Sequence, residues 1–283
     1  MGYLFAVTLL WAFSFSLIGV YLAGQVDAWF SVLMRVAMAA LVFLPFLKFK
    51  HTAKPLAFKL MLIGAVQLGA MYGFYYHSFL YLTVPEVLLF TVMTPIYITL
   101  LNDALAKHFN PRFFIVALIA VAGAIAIRYE GINSDFVLGL LLVQGANLCF
   151  AAGQVAYKRV MHHSAVAQKT VFGWFFIGAL CVAVVCYSVF GNSEKLPTTA
   201  TQWGILIYLG AIASGVGYFV WNKGITQVNV GTLAVMNNML IPAGIVVNVV
   251  IWNRDADLLR LSLGAGIIFA ALLVNQYFNK QVN

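Results

Sequence analysis

The sequence predicts an all-α integral membrane protein with ten transmembrane helices arranged as a five-plus-five inverted repeat. Three observations lead to this prediction. Hydrophobic residues make up 63% of the 283 positions and charged residues only 8%, whereas a soluble domain carries about 25% charged residues. The apolar residues occur in runs long enough to cross a bilayer, and two of these runs carry a proline at matching depth. The composition therefore excludes a water-soluble protein.

Ten apolar runs approach or reach the length of about 17 to 25 residues that is needed to cross a hydrocarbon core of about 30 Å. The predicted spans cover residues 3–24, 29–47, 57–79, 84–106, 112–129, 136–157, 170–190, 203–222, 230–252 and 260–279. The turns between them are short and polar, so no separate soluble domain is expected.

The turns place basic residues mainly on one face of the membrane. Of the 16 Lys and Arg residues, eleven fall on this face: Lys48, Lys50, Lys54, Lys59, Lys107, Arg112, Lys158, Arg159, Lys169, Lys223 and Lys280. Because short cytoplasmic loops carry an excess of Lys and Arg, this face is predicted to be cytoplasmic, with both termini inside. The net charge of +8 is therefore interpreted as a topology signal, and no nucleic-acid motif accompanies it.

The second half of the chain aligns with the first. The segment "LLWAFSFSLIGVY" matches "LCFAAGQVAYKRV", and "GFYYHSFLYLTVPEVL" matches "GYFVWNKGITQVNVGTL". This alignment brings Pro95 opposite Pro242, within one residue. Residues 1–132 and 133–283 are the two predicted five-helix repeats of one membrane domain. Because five is odd, the second repeat enters the membrane upside down relative to the first.

The paired prolines indicate where a binding site lies. A proline in a helix interior removes a backbone hydrogen bond and costs about 3 kcal/mol. It is tolerated in a membrane where neighbouring helices or cavity water satisfy the freed carbonyl, and broken helices of two inverted repeats line the central site of many secondary transporters. Pro95 and Pro242 are predicted helix kinks beside such a cavity. The alternative is a kink without function, which is common in membrane helices.

Several segments resemble a known family over essentially the whole chain. The segments "LLWAFSFSLIG" and "RVAMAALVFLPFL", together with the two proline helices, resemble the drug/metabolite transporter superfamily with its ten-helix, EamA-like pattern. Within it, "LYLTVPEVLLFTVMTPIYITLLND" and "ASGVGYFVWNKGITQVNVGTLAVMNNMLIPAG" are similar to the bacterial biotin permeases of the carboxylate/amino acid/amine branch.

The resemblance implies a secondary-active transporter of the bacterial inner membrane. Its substrate would be biotin or a similar small carboxylate-bearing metabolite, imported by alternating access without a cofactor. Membrane lipid is the other expected partner, and the oligomeric state is left open. Since most of the superfamily exports its substrates, efflux of amino acids or amphipathic drugs is the alternative function.

Two ionisable residues lie inside apolar runs. The guanidinium of Arg35 matches a carboxylate in bidentate fashion; the structural alternative is a packing arginine bonded to helix-end carbonyls or to Glu86. Thr83-Val84-Pro85-Glu86 has the T-x-x-E form of a helix capping box. The alternative role for Glu86 is a proton-coupling carboxylate. The first helix carries no acid, in contrast to small multidrug members of the superfamily.

Neutral polar and aromatic residues complete the predicted site. Asparagine amides suit a ureido ring or a carboxylate, although asparagine also bonds membrane helices together. Tyr75 and Tyr76, near a helix end, are assigned to an interfacial aromatic belt. The predicted substrate-binding residues are Trp11, Ser14, Arg35, Gln67, Tyr72, Thr91, Asn147, Tyr218, Trp221, Asn237 and Asn238.

Other function classes lack a signature in the sequence. No H-E-x-x-H or related spacing indicates a metal site, and no Walker A motif indicates direct use of ATP. Neither paired acids nor a nucleophile with a base is found at membrane depth. The chain is therefore predicted to be neither an enzyme nor a cofactor-dependent protein.

Overall fold

The described part of the chain consists of helices and the turns between them. A computed structural model describes residues 2–107, 134–162, 164–228 and 230–252, together with scattered positions between 259 and 277. The predicted span at 112–129 lies outside the described residues, and the predicted span at 260–279 lies mostly outside them. The count of ten spans therefore stays a prediction.

Eight helices occupy the long described segments. They are α1 (Gly2–Tyr21), α2 (Ala28–Phe43), α3 (Lys54–Ser78), α4 (Val84–Leu105), α5 (Ser134–His162), α6 (Gln168–Phe190), α7 (Ala200–Ile225) and α8 (Val230–Trp252). Helices α1–α4 match the first four predicted spans, and α5–α8 match the sixth to ninth. Seven of them, α1–α7, are long and apolar enough to cross a membrane. The chain is thus a multi-pass membrane protein.

Burial in the described helices differs from that in a soluble protein, because amides lie inside and large apolar side chains lie outside. Gln154 and Asn222 are fully buried, whereas Phe58, Leu141 and Val185 are each 62% exposed. Apolar side chains on the outside cost nothing in lipid, while amides need protein partners because hydrocarbon offers no hydrogen bonds. The helices therefore bury polar side chains within a largely apolar core and present an apolar surface to the membrane.

The packing of the described helices has an internal symmetry. Helix α1 contacts α8 and α7, and the equivalent contacts join α5 to α4 and α3. Likewise, α2 contacts α7 while α3 contacts α6. If α1 is exchanged with α5, α2 with α6, α3 with α7 and α4 with α8, the set of major contacts therefore stays the same.

Three helices depart from regular α geometry near the middle of the bundle. Helix α3 contains a π segment at Ala65–Ala70, and α7 contains one at Tyr208–Val216. In α4 a 3₁₀ turn at Thr91–Met93 comes just before the buried Pro95. The α geometry resumes at Thr94, so Pro95 occupies the first turn, where its missing N–H is not needed. Helix α8, in contrast, continues as an α-helix through position 242.

Helices α3 and α6 approach each other so closely that their backbones touch. A Cβ atom added at Gly64 would lie 1.8 Å from the carbonyl oxygen of Phe175, and one added at Gly178 would lie 1.9 Å from that of Met61. Small residues allow such contact between membrane helices, which associate through close packing. Glycine is required at both positions because the opposing atoms belong to the backbone and cannot rotate away.

We predict that Gly178→Ala destabilises the protein by about 1–3 kcal/mol, the usual cost of overpacking. Thermal unfolding in detergent measures the effect. Gly204→Ala is the matched control, because a Cβ at Gly204 meets nothing within 4 Å. Equal unfolding temperatures for the two variants would show that the α3–α6 contact is not as tight as described.

Candidate substrate-binding site

A cavity lies between helices from both ends of the chain. Helices α1, α2, α3, α4, α5, α7 and α8 all contribute to it. It is lined by Trp11, Ser14, Phe15, Arg35, Met71, Tyr72, Tyr75, Thr91, Thr94, Ala146, Asn147, Phe150, Tyr218, Asn237 and Leu240.

Arg35 is the one charged residue among those that line this cavity. It is 2% exposed, and its hydrogen-bond partners among the described residues are neutral hydroxyls. Its Nε donates to Ser214 Oγ at 3.1 Å, Nη1 to Tyr76 Oη at 3.2 Å and Nη2 to Tyr72 Oη at 2.7 Å. The Tyr72 ring also lies 4.3 Å from the guanidinium carbon, a cation–π distance. Among the partners that the described residues provide, Arg35 is therefore held by hydroxyls of α3 and α7.

The guanidinium keeps capacity for a ligand. It has five N–H donors, and its three hydrogen bonds leave one N–H on each terminal nitrogen. Because no acid lines the cavity, the charge is not neutralised within its walls. A buried charge is stabilised by pairing with an opposite charge. The cavity is thus electrostatically matched to a single anionic group.

Aromatic rings form the wall next to Trp11. The Trp11 ring centroid lies 5.0 Å from that of Tyr218 and 5.9 Å from that of Phe150. The indole Nε1 of Trp11 donates to the carbonyl oxygen of Ala213 at 2.8 Å. The wall therefore offers aromatic faces and edges to the apolar body of a ligand.

The assignment of Tyr75 and Tyr76 to an interfacial belt is wrong. They are 9% and 3% exposed; Tyr75 lines the cavity and Tyr76 accepts a hydrogen bond from Arg35. The physical reason is that each ring has a partner inside the protein. The ring of Phe79, which lies beyond α3 and is itself buried, is 5.0 Å from that of Tyr75, and the Tyr76 hydroxyl is bonded to Arg35.

Eight of the eleven predicted substrate-binding residues line the cavity: Trp11, Ser14, Arg35, Tyr72, Thr91, Asn147, Tyr218 and Asn237. Gln67 and Trp221 do not. Gln67 instead donates to Asn222 Oδ1 at 3.2 Å, and the Trp221 indole donates to Gln154 Oε1 at 3.0 Å. These two side chains belong to a buried polar cluster beside the cavity.

Asn238 also lies away from the cavity lining, whereas Asn237 is part of it. Adjacent helical residues point about 100° apart, so one of the pair faces the cavity. The Asn238 amide has no hydrogen-bond partner among the described residues, and we have no physical account of this.

Sequence reasoning overlooked several contributors. Phe15, Met71, Ala146 and Leu240 line the cavity, but apolar residues are equally common on the lipid-facing surface and carry no distinguishing signal. Gln154 connects Asn237 and Trp221. The signal that points to it is a polar side chain inside a long apolar run.

Glu86 caps helix α4. Its Oε2 accepts from the backbone N of Thr83 at 2.8 Å and from Thr83 Oγ1 at 2.9 Å, and the T-x-x-E capping box is complete. Glu86 does not line the cavity. The geometry thus favours the capping role over the coupling role.

A cavity between membrane-length helices that is lined mostly by apolar and aromatic side chains, with a few polar groups and a single cation, is typical of a small-molecule site in a membrane transporter. The model of the EamA-like transporter family matches residues 1–129 and 137–276. The chain therefore belongs to the EamA-like transporter family and is a transport protein.

Similar proteins match along nearly the whole chain. It is 50% identical over 284 aligned positions to a Pseudomonas aeruginosa protein named as a probable biotin transporter, covering 100% of this chain and 99% of that protein. It is 51% identical over 278 positions to the biotin transporter of Salmonella typhimurium, covering 98% and 93%. One solved crystal structure, at 18% identity, matches with a TM-score of 0.69 over 96% of this chain and 95% of the other. This last likeness supports the fold alone.

We predict that Glu86→Gln leaves transport and stability close to wild type, because the glutamine oxygen still accepts from Thr83. Glu86→Ala removes that acceptor and is expected to cost about 1 kcal/mol. Thermal unfolding and substrate uptake by the two variants provide the measurements. Abolished uptake by a stably folded Glu86→Gln variant would instead identify Glu86 as a coupling carboxylate.

Proposed function

We propose that this chain imports biotin across the bacterial inner membrane by alternating access. The proposal is supported by the two relatives at 50% and 51% identity whose names include biotin transport. It is also supported by the chemistry of the cavity. Biotin combines one carboxylate, an apolar body and a neutral ureido ring, and the cavity combines one cation, an aromatic wall and two amides.

The observation that carries the proposal is the charge of Arg35, which has no acidic partner among the residues that line the cavity. Its two remaining N–H groups, one on each terminal nitrogen, suit the two oxygens of a carboxylate. Burying a carboxylate there neutralises the cavity. A cationic drug would instead add a second positive charge, because none of the lining residues is an acid.

The same argument disfavours the alternative of amino-acid efflux. An amino acid brings an ammonium group together with its carboxylate, and a like charge close to Arg35 in a medium of low polarity is strongly repulsive. We therefore favour a substrate with one negative charge and neutral polar groups elsewhere.

Alternating access requires two units that can move relative to each other around the site. We propose that residues 1–132 and 133–283 are these units and that each contains five helices. The exchange symmetry of the described contacts supports this division. So do the π segments, which occur in the third helix of each proposed unit. With eleven basic residues on one face, both termini are assigned to the cytoplasm.

We predict that Arg35→Ala lowers uptake of labelled biotin by about 10- to 100-fold, the equivalent of one charge-assisted hydrogen-bonded contact. Arg35→Lys is expected to be intermediate, because an ammonium lacks the planar fork of a guanidinium. The measurement uses bacterial cells in which this chain is the sole route for biotin.

Arg159→Ala is the matched control for this experiment. Arg159 is an exposed arginine at the end of α5 that donates to the carbonyl oxygen of Asn102, away from the cavity. Uptake is expected to be unchanged in this variant. Wild-type uptake by Arg35→Ala would refute the proposal that Arg35 binds the substrate carboxylate. If the chain only accelerates the loss of preloaded biotin from cells, the proposed direction of transport is refuted.

A further inference from the structure

The protein fixes the orientation of the two asparagine amides in the cavity wall. Asn147 Nδ2 donates to the carbonyl oxygen of Phe90 at 2.8 Å, and Asn237 Nδ2 donates to that of Leu233 at 2.9 Å. A backbone carbonyl only accepts hydrogen bonds, so turning either amide over would place oxygen against oxygen. The identity of the nitrogen and the oxygen is therefore settled by the backbone at both positions.

Both amides have used their donors within the protein. The second N–H of Asn147 is taken by Gln144 Oε1 at 3.2 Å, and that of Asn237 by Gln154 Oε1 at 3.2 Å. An amide nitrogen has two donors, so neither asparagine has an N–H left for a ligand.

The amide oxygens keep capacity to accept. Asn147 Oδ1 receives no hydrogen bond from the described residues, and Asn237 Oδ1 receives one, from Gln154 Nε2 at 3.3 Å. Since an amide oxygen has two lone pairs, each asparagine has at least one acceptor site left. Any hydrogen bond that these residues make to a ligand must therefore come from a donor on the ligand.

Other polar groups of the cavity differ from the two asparagines, because they either only donate hydrogen bonds or can both donate and accept them. Arg35 has only donors. Ser14 is 5% exposed, and its buried hydroxyl has no partner among the described residues; a hydroxyl can both donate and accept a hydrogen bond. The cavity thus offers donors at Arg35 and acceptors at Asn147 and Asn237.

We infer that Asn147 and Asn237 determine specificity by accepting hydrogen bonds from N–H groups on a neutral ring of the substrate, as a cyclic urea provides. This inference rests on the proposed function and goes beyond it, because it states which part of the substrate each residue recognises. A carboxylate without N–H groups leaves the two oxygens without a hydrogen bond from the ligand. Sites that are built to form such hydrogen bonds can reject analogues that lack the N–H group by about 10⁴-fold.

The test is competition against uptake of labelled biotin by the wild-type chain. Dethiobiotin keeps the carboxylate and both ureido N–H groups. Biotin methylated on both ureido nitrogens keeps the carboxylate and the ring but has no N–H, and lipoic acid keeps a carboxylate and a sulfur ring without N–H. We expect dethiobiotin to compete within about 10-fold of biotin and the other two to be at least about 10-fold weaker than dethiobiotin.

Substitutions test whether Asn147 and Asn237 cause this difference in competition. Asn147→Leu and Asn237→Leu remove the acceptors while keeping the number and branching of the side-chain heavy atoms, so the preference for dethiobiotin over lipoic acid should fall by about 10-fold or more in each. Asn222→Leu is the matched control. Asn222 is a fully buried asparagine that donates to the carbonyl oxygen of Tyr218 at 3.0 Å and does not line the cavity, so its loss should change stability without changing the preference.

The outcomes separate this inference from the proposed function. If the wild-type chain takes up no biotin, the proposed function fails and the inference fails with it. If biotin is taken up but the methylated analogue or lipoic acid competes as well as dethiobiotin, the inference alone is overturned. An unchanged preference in both asparagine variants, with folding verified by thermal unfolding, also overturns it.

Discussion

A permanent positive charge inside a membrane protein needs hydrogen-bond acceptors close by, because hydrocarbon supplies none. Three hydroxyls provide them for Arg35, two from α3 and one from α7. Ser214 lies within the π segment of α7, and Tyr72 and Tyr76 follow the π segment of α3. Irregular helix geometry of this kind is frequent at functional sites. The guanidinium therefore links three helices while retaining two donors for a ligand.

Much of this organisation is predictable from the sequence, because a bilayer imposes simple rules. The length of apolar runs identified the spans that became α1–α8, and the position of Arg35 inside an apolar run marked it as a site residue. The T-x-x-E pattern identified the Glu86 cap, since capping depends on residues close together in the chain. These features follow from composition and local spacing alone.

Other features depend on geometry that the sequence does not reveal. A π segment has more residues per turn than an α-helix, so it rotates the positions that follow it relative to α periodicity. Gln67 lies within such a segment and Trp221 lies after one, and neither lines the cavity. Tyr75 was misassigned because its contact with Phe79 depends on how the next turn folds back, and Tyr76 because its bond to Arg35 joins two helices. Such contacts arise from tertiary packing and not from a periodic pattern.

The contact between Trp11 and Ala213 has a consequence for redesign. Ala213 lies in the π segment of α7, where the backbone N of Gly217 donates to the oxygen of Ile212, five residues back. The Trp11 indole provides a donor to the Ala213 carbonyl within this irregular stretch. Shortening Trp11 to admit a bulkier cargo would also remove the indole donor of that carbonyl. Enlarging the cavity at Phe150 or Met71, whose side chains make no such bond, would be less disruptive to the helix opposite.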